Sequence, residues 1–183
     1  MTMQTKGFDQ AKKLLAHLPG GIETAFSRSL NRAMTEARTA AIDSVTDEYT
    51  LKARDVRNTF SIRRSSRRYL QASLTSRGGS VLLSQYAHRP KTDTTGKKRR
   101  EVKVAVRRGT EKTLDRGFIH DGRVLQRQGR QRYPVRVGYG PAVPVALANE
   151  GVTDEVMQTM EASVVKRLEH ETLRLLKGSR END

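Results

Sequence analysis

The chain has 183 residues, 35 Lys and Arg against 20 Asp and Glu, and a formal net charge of +15. Because it contains no Cys, a disulfide scaffold, a Cys-ligated zinc site, an iron–sulfur cluster and a thiol nucleophile are excluded. The length is typical of one domain, an aromatic content of 5% predicts a modest core, and the charge favours contact with polyanions.

The N-terminal part of the chain is predicted to be helical. We expect a short helix over 8–18, which Pro19 ends, and a long helix over 21–49, which begins after Gly20. Apolar or small side chains recur every three or four residues along the long helix and form one stripe. The stripe residues expected in the core are Phe26, Leu30, Ala33, Ala37, Ala41 and Val45.

The middle of the chain, residues 59–138, is predicted to form a small antiparallel sheet, because its hydrophobic period changes to two. The core-facing strand residues expected from this alternation are Leu70, Leu74, Val102, Val104 and Val106. Residues 81–86 are expected to form a short helix. Basic loops are predicted over 88–100 and 122–131, where apolar residues are few.

The last predicted element is an amphipathic helix over 153–177. Thr153 is a suitable N-cap, and Gly178 is a suitable C-terminal stop. Its predicted core residues are Val164, Leu168 and Leu175. The predicted fold is therefore α+β in a single domain, with the sheet packed against a long N-terminal helix and a C-terminal amphipathic helix, and with extended basic loops.

The excess positive charge is confined to the middle of the chain. Residues 1–51 have no net charge, residues 52–136 carry +18 and residues 137–183 carry −3. The candidate residues for contact with DNA or with a partner are Arg63, Arg64, Arg67, Arg68, Lys97, Lys98, Arg99, Arg100, Arg107, Arg108, Arg127, Arg130 and Arg132. Few aromatic side chains accompany them, so we expect contact with phosphates without base readout, or contact with acidic protein surfaces.

Catalytic and cofactor sites are not predicted. His120 and Asp121 are the best candidates for metal ligands, but Asp121-Gly122 is more typical of a turn between strands. The Gly138-Tyr139-Gly140 segment resembles a phosphate loop, but Pro141 and Pro144 prevent the required helix from starting. A metal-dependent nuclease is therefore the weakest of the functions considered, and we predict no enzyme, no metal and no cofactor.

The order of these segments resembles the minor tail protein Z family of long-tailed phages and prophages. The resemblance covers about Ala25 to Leu176. It rests on the closing amphipathic helix and on the segments Asn31–Ala41, Tyr49, Leu51–Val56, Leu70–Leu74, Leu82–Tyr86, Val102–Val106, Gly117–Ile119, Pro134–Val137 and Gly140–Pro144. It implies a non-enzymatic virion protein that completes the head-proximal end of a tail and joins it to the head. The family also implies a ring around the DNA passage.

From this resemblance we expect a homo-oligomer, a hexamer that matches tail symmetry, at the tail–head junction of a virion assembled in the host cytoplasm. Its expected partners are itself, a tail terminator or tail tube protein, head connector proteins and the packaged DNA. No export signal or membrane span is predicted, so a membrane partner is not expected. The alternative is a free, sequence-independent nucleic-acid-binding protein associated with ribosomes or the nucleoid.

Overall fold

The computed structural model describes residue 11 and residues 13–14, 20–91, 94, 101–148 and 150–180. The helices of this described chain are α1 (Gly21–Glu48), α2 (Ala53–Arg57), α3 (Val143–Leu147) and α4 (Glu150–Arg180). The strands are β1 (Phe60–Arg63), β2 (Ser73–Ser76), β3 (Val81–Leu82), β4 (Ala87–Arg89), β5 (Val102–Ala105), β6 (Lys112–Leu114), β7 (Gly117–His120), β8 (Arg123–Arg127), β9 (Val135–Val137) and β10 (Tyr139–Gly140). The predicted α+β class, with two long helices and small antiparallel sheets, is confirmed.

The chain divides into two compact units, where the sequence suggests one domain. Unit 1 comprises residues 1–41, 60–75 and 150–183, and unit 2 comprises residues 42–59 and 76–149. Helix α1 contributes its first part to unit 1 and its last turns to unit 2. No helix in the described part of the chain is long and apolar enough to cross a bilayer.

Unit 1 has a thin core that consists mainly of small side chains. Ala25 and Leu168 are buried in one cluster, and Phe26 and Leu175 pack against it. Buried Ser29 needs no partner from another element, because its hydroxyl donates to the Ala25 carbonyl oxygen at 2.7 Å. Small residues on a helix allow another element to approach closely, which agrees with the alanine-rich stripe in the sequence.

Unit 2 contains most of the sheet structure. Strand β4 pairs with β5 and β5 with β6, while β7 pairs with β8 and β8 with β9, all antiparallel. Strands β3 and β10 form a separate pair, and in unit 1 β1 pairs with β2. The described strands thus belong to four small sheets, whereas the sequence predicts one. Strands of two to five residues separated by frequent turns are too short to align into a single wide sheet.

Strand β8 corrects the prediction of a loop over 122–131. Asp121 and Gly122 have φ values of 50° and 67°, which fit a two-residue turn of a β-hairpin. Across this turn Ile119 pairs with Val124, and both are buried. The prediction of a turn is confirmed. The turn directs the following residues back along β7, where they form a strand although their composition is polar.

Most of the predicted core residues are buried or partly buried. Ala33, Ala37, Ala41, Val45, Val102, Val104, Val164 and Leu168 are buried, and Phe26, Leu30, Leu74, Val106 and Leu175 are partly buried. Leu70 is predicted in the core, but it is 36% exposed. The reason is that Tyr69 hydrogen-bonds back to Ser66 within a turn, so the strand begins only at Ser73.

Several predicted elements differ from the structure at their ends. Helix α4 begins at Glu150 and continues to Arg180, because a single glycine in a helix costs only about 1 kcal/mol and does not force it to stop. Residues 81–86 form β3 and a 3₁₀ turn, because the Leu83 amide donates to the Gly138 carbonyl oxygen instead of a helical partner. The first residues of the predicted 88–100 loop belong to β4, because they pair with β5. Residues 92–93 and 95–100 of that loop lie outside the described residues.

The predicted short helix over 8–18 also falls largely outside the described residues. Ala11, Lys13 and Leu14 are helical there.

Candidate functional site

Unit 1 presents four exposed arginines next to the end of β1. Arg63, Arg64, Arg67 and Arg68 lie within six residues, and all four are exposed. We call residues 63–69 the basic turn. None of its arginines forms an ion pair with a carboxylate of the described residues. The sequence predicts these residues as contact residues, and the structure brings all four together.

The main chain of the basic turn is fixed to α1 by Asn31. The Asn31 side chain donates to the Ser65 carbonyl oxygen at 2.9 Å and accepts the Ser65 amide at 2.8 Å. Backbone hydrogen bonds of 2.9 and 3.1 Å between Ser66 and Tyr69 close the turn. The Arg63 guanidinium lies 5.4 Å from the centre of the Tyr69 ring. The exposed guanidinium groups therefore extend from a backbone that is held in one conformation.

Arg107 and Arg108 instead hold the C-terminal end of α1 within unit 2. Arg108 donates to the Thr46 carbonyl oxygen through Nε at 2.7 Å and to the Glu48 carbonyl oxygen through its amide at 2.8 Å. Arg107 Nε lies 3.3 Å from Glu48 Oε1, and its guanidinium lies 5.7 Å from the Tyr49 ring centre. The Tyr49 hydroxyl and the Glu48 carboxylate raise the pKa of Arg107. Positive charge is favourable at this end of a helix, so these two arginines have a structural role.

The remaining predicted contact residues of unit 2 lie on or beside the β7-β8-β9 sheet. The Arg127 guanidinium lies 4.9 Å from the Phe118 ring centre, and that of Arg132 lies 5.7 Å from the exposed Tyr133 ring. Arg130 is exposed. The fourth predicted group, Lys97 to Arg100, lies outside the described residues. The structure thus places these arginines in separate surroundings from the basic turn.

Sequence reasoning missed one basic pair in unit 2. Arg89 on β4 and Lys103 on β5 are directly opposite each other, and both are exposed. Like charges in this arrangement destabilise a sheet unless solvent or an anion screens them. The alternation of Val102, Lys103 and Val104 indicates that Lys103 points away from the core. The pair was missed because the sequence predicts a loop where Arg89 lies on β4.

An open groove of about 460 Å³ lies in unit 2. Its lining residues are Tyr49, Val104, Val106, Arg107, Thr110, Lys112, Pro141 and Val145. The floor is mostly apolar and the charged groups are basic. Because no carboxylate or imidazole of the described residues lines the groove, it lacks the acid–base pair that hydrolytic chemistry uses.

Helix α4 exposes a row of apolar and acidic side chains in alternation. Its members are Met157, Glu161, Val165, Glu169 and Leu173, all exposed. We call this row the α4 ridge. A spacing of four residues makes each side chain the neighbour of the next along the helix surface. Val165 is 51% and Leu173 58% exposed, which is a large exposed fraction for apolar side chains.

The two candidate metal ligands of the sequence lie at the turn between β7 and β8. His120 ends β7, and Asp121 occupies the turn position described above. Within the described ranges, no group of three His, Asp or Glu side chains could hold a metal ion.

Comparison with protein-family models matches residues 5–178 to the family described as prophage minor tail protein Z. The match spans nearly the whole chain and both units, and it confirms the resemblance found in the sequence. Searches of curated proteins and of solved structures find no match.

Proposed function

Because this chain belongs to the prophage minor tail protein Z family, we propose that it completes the head-proximal end of a phage tail and joins the tail to the head. Membership makes the protein a phage minor tail protein with a structural role in the tail. The proposal adds its position at the tail–head junction, a homo-oligomeric ring around the DNA passage, and the absence of a catalytic step.

The observation that carries the ring is the α4 ridge. The three apolar side chains of the ridge form a continuous row on one side of the helix and are not isolated surface residues. The two glutamates between them favour a partner with positive charge. That partner has apolar positions with basic groups between them. The ridge is therefore suited to protein contact and unsuited to DNA, which its carboxylates repel.

We assign the partner surface to the groove of a second copy. Its apolar lining by Val104, Val106 and Val145 complements the apolar members of the ridge, and its Lys112 complements the acidic members. A contact between two different surfaces of identical chains propagates from copy to copy, and it closes as a ring when the rotation per copy allows. Six copies would match tail symmetry, with the tail tube or terminator on one side and the head connector on the other.

Deletion of the gene in the phage tests this function. We expect heads filled with DNA and tails of normal length that remain separate or join unproductively, because the joining component is missing. Electron microscopy of lysates and plaque formation measure this, with the gene supplied from a plasmid as the control. Tails that join heads and deliver DNA normally without the gene would contradict the proposal.

The basic turn favours a second candidate, a free nucleic-acid-binding protein, because its arginines lack described carboxylate partners. Mass spectrometry of purified virions separates the two functions. A head–tail joining protein is a stoichiometric component of the particle, whereas a free binder stays in the host fraction with ribosomes or the nucleoid.

A further inference from the structure

The arginines of the basic turn differ in their partners from most of those on the helices of unit 1. Four helix arginines form ion pairs, with N to O distances of 3.3 Å for Arg28–Glu171, 3.7 Å for Arg174–Glu171, 3.4 Å for Arg32–Glu36 and 2.6 Å for Arg167–Glu36. Two glutamates thus serve four arginines on α1 and α4. The described part of unit 1 offers no comparable carboxylate to the basic turn, although all four of its arginines are exposed.

The basic turn is also built to hold its charges together. Four like charges within six residues repel one another, which favours an extended loop. Asn31 opposes this through its two hydrogen bonds to buried Ser65, and the Ser66–Tyr69 backbone pair closes the turn against the same repulsion. Local structure that concentrates unpaired charge is expected where an anionic ligand supplies the missing partner.

We propose that the basic turn binds the phosphate groups of a nucleic-acid backbone, independently of base sequence. A duplex carries one negative charge for about every 1.7 Å of its axis, so it can meet several closely spaced guanidinium groups at once. Guanidinium groups also bind phosphate oxygens in a bidentate manner. The proposal rests on the proposed function for the source of the nucleic acid, which is the DNA passing the tail–head junction.

The surroundings of the turn favour phosphate over protein carboxylates and over base readout. Arginine is common in protein interfaces as well, but four neighbouring guanidinium groups there need a carboxylate placed opposite each of them, whereas a duplex presents phosphates at short, regular intervals. The turn has one aromatic ring, Tyr69, which lies beside the Arg63 guanidinium, and a single ring does not form the series of stacking platforms on which successive bases are bound. The turn therefore has the groups that bind a backbone and lacks those that read a sequence.

Two triple variants of the full chain test the site. The turn variant carries Arg64→Gln, Arg67→Gln and Arg68→Gln, and it keeps Arg63 because of its contact with Tyr69. The matched control carries Arg28→Gln, Arg32→Gln and Arg174→Gln, which removes the same number of charges of the same residue type from the same unit. Fluorescence anisotropy with two labelled DNA duplexes of equal length and different sequence measures binding over a range of salt concentrations.

We expect the wild type to bind both duplexes equally. The turn variant should bind on the order of tenfold more weakly, and its slope of log K against log salt should fall in magnitude by about 3, close to one for each guanidinium–phosphate pair that the substitutions remove. The control should remain near the wild type, because its charges are already paired. A variant with lysine at the three turn positions should keep most of the slope, because it restores the charges that the glutamine variant lacks, and equal free energies of unfolding in urea for the two variants would exclude misfolding as the cause of weaker binding.

Three outcomes would overturn the proposal. The first is equally weakened binding in both glutamine variants, which would mean that binding follows net charge. The second is unchanged binding in the turn variant, and the third is displacement of DNA by poly-glutamate at a lower charge concentration than by polyphosphate. The gene deletion described above is scored separately. If joining fails without the gene but the turn variant binds DNA normally, the phosphate site is wrong and the joining function stands. If the turn variant no longer binds DNA but the deletion has no effect on joining, the joining function is wrong and the phosphate site stands.

Discussion

Glu36 is the carboxylate on which three side chains of unit 1 converge. It accepts hydrogen bonds from Ser163 at 2.6 Å and from Arg167 at 2.6 and 3.1 Å, and Arg32 lies 3.4 Å away. The hydrogen bond from Ser163, followed by that from Arg167, lowers the pKa of Glu36 below its ordinary value of 4.5. The folded state favours the ionised carboxylate. Glu36 therefore stabilises the protein at pH values above 4.5, its ordinary pKa, and this stabilisation is lost as the pH falls through the lowered pKa of the folded state.

Glu36→Gln should therefore destabilise the protein by about 1 kcal/mol at neutral pH, since it removes charge-assisted hydrogen bonds at a partly exposed site. The difference from the wild type should shrink as the pH falls below 4.5. Urea denaturation at about pH 7 and about pH 3.5 measures it. A difference that stays constant with pH would show that ionisation of Glu36 does not matter.

Asn31→Ala tests the anchor of the basic turn. The substitution leaves the Ser65 amide and carbonyl without the partners they have on α1, and an unsatisfied buried polar group costs about 1 to 3 kcal/mol. We expect faster hydrogen exchange of the Ser65 amide and a lower free energy of unfolding. The control is Asn58→Ala, at an exposed asparagine in unit 2, which should change neither. Unchanged exchange at Ser65 in the Asn31 variant would refute the anchor.

At the scale of elements, β10 packs closely against the Tyr86 ring in unit 2. The buried Tyr86 hydroxyl donates to the Pro141 carbonyl oxygen at 2.9 Å, and burial raises the pKa of Tyr86 to about 12. Gly140 lies against the ring of this tyrosine. A Cβ at that position would be 2.7 Å from Cε2 and 2.9 Å from Cζ of Tyr86.

Gly140→Ala should therefore destabilise the protein by about 1 to 3 kcal/mol, because a buried aromatic ring cannot move away without disturbing its hydrogen bond. Gly129→Ala is the matched control, since a Cβ there meets no atom within 4 Å. Thermal or urea unfolding of both variants gives the comparison. If the two variants are equally stable, the contact with Tyr86 is less tight than the geometry indicates.

Sequence reasoning identifies the elements whose residues carry their own periodic signal. The long helix has its boundaries within one residue of the prediction, and the Val102–Lys103–Val104 alternation marks β5. Strand β4 escapes it because its residues become strand only by pairing with β5, which is distant in the chain, whereas β8 pairs with the adjacent β7 but has a largely polar composition. The arginines of the basic turn are predicted individually, but no local pattern reveals that Asn31, more than 30 residues away, holds the turn.

At the scale of the whole molecule, the net charge of +15 is divided among surfaces with different partners. Arg107 and Arg108 contact the end of α1 within unit 2, four helix arginines of unit 1 are in ion pairs, and the basic turn has no ion pair with a carboxylate of the described residues. The α4 ridge has the opposite sign and an apolar component. In the proposed assembly, one of these surfaces contacts a second copy of the chain and another contacts a polyanion.

Val165→Glu should prevent assembly of the proposed oligomer, because it places a third carboxylate between the glutamates of the α4 ridge and removes an apolar contact. Light scattering after size-exclusion chromatography should show a smaller species than the wild type at the same concentration. His170→Glu introduces the same residue on the same helix, four residues from Lys166 and from Arg174, and should leave assembly unchanged. Equal behaviour of the two variants would exclude the ridge from the interface.

The division of the chain into units has a consequence for synthesis on the ribosome. Unit 2 ends at residue 149, whereas unit 1 needs α4, which follows it in the chain. Since chains emerge from the N-terminus and compact units form as their residues become available, unit 2 can be complete while unit 1 still lacks the glutamate that pairs with Arg28. The ridge that we assign to assembly is thus made after unit 2, so that a nascent chain whose unit 2 is complete is not yet competent to associate through the ridge.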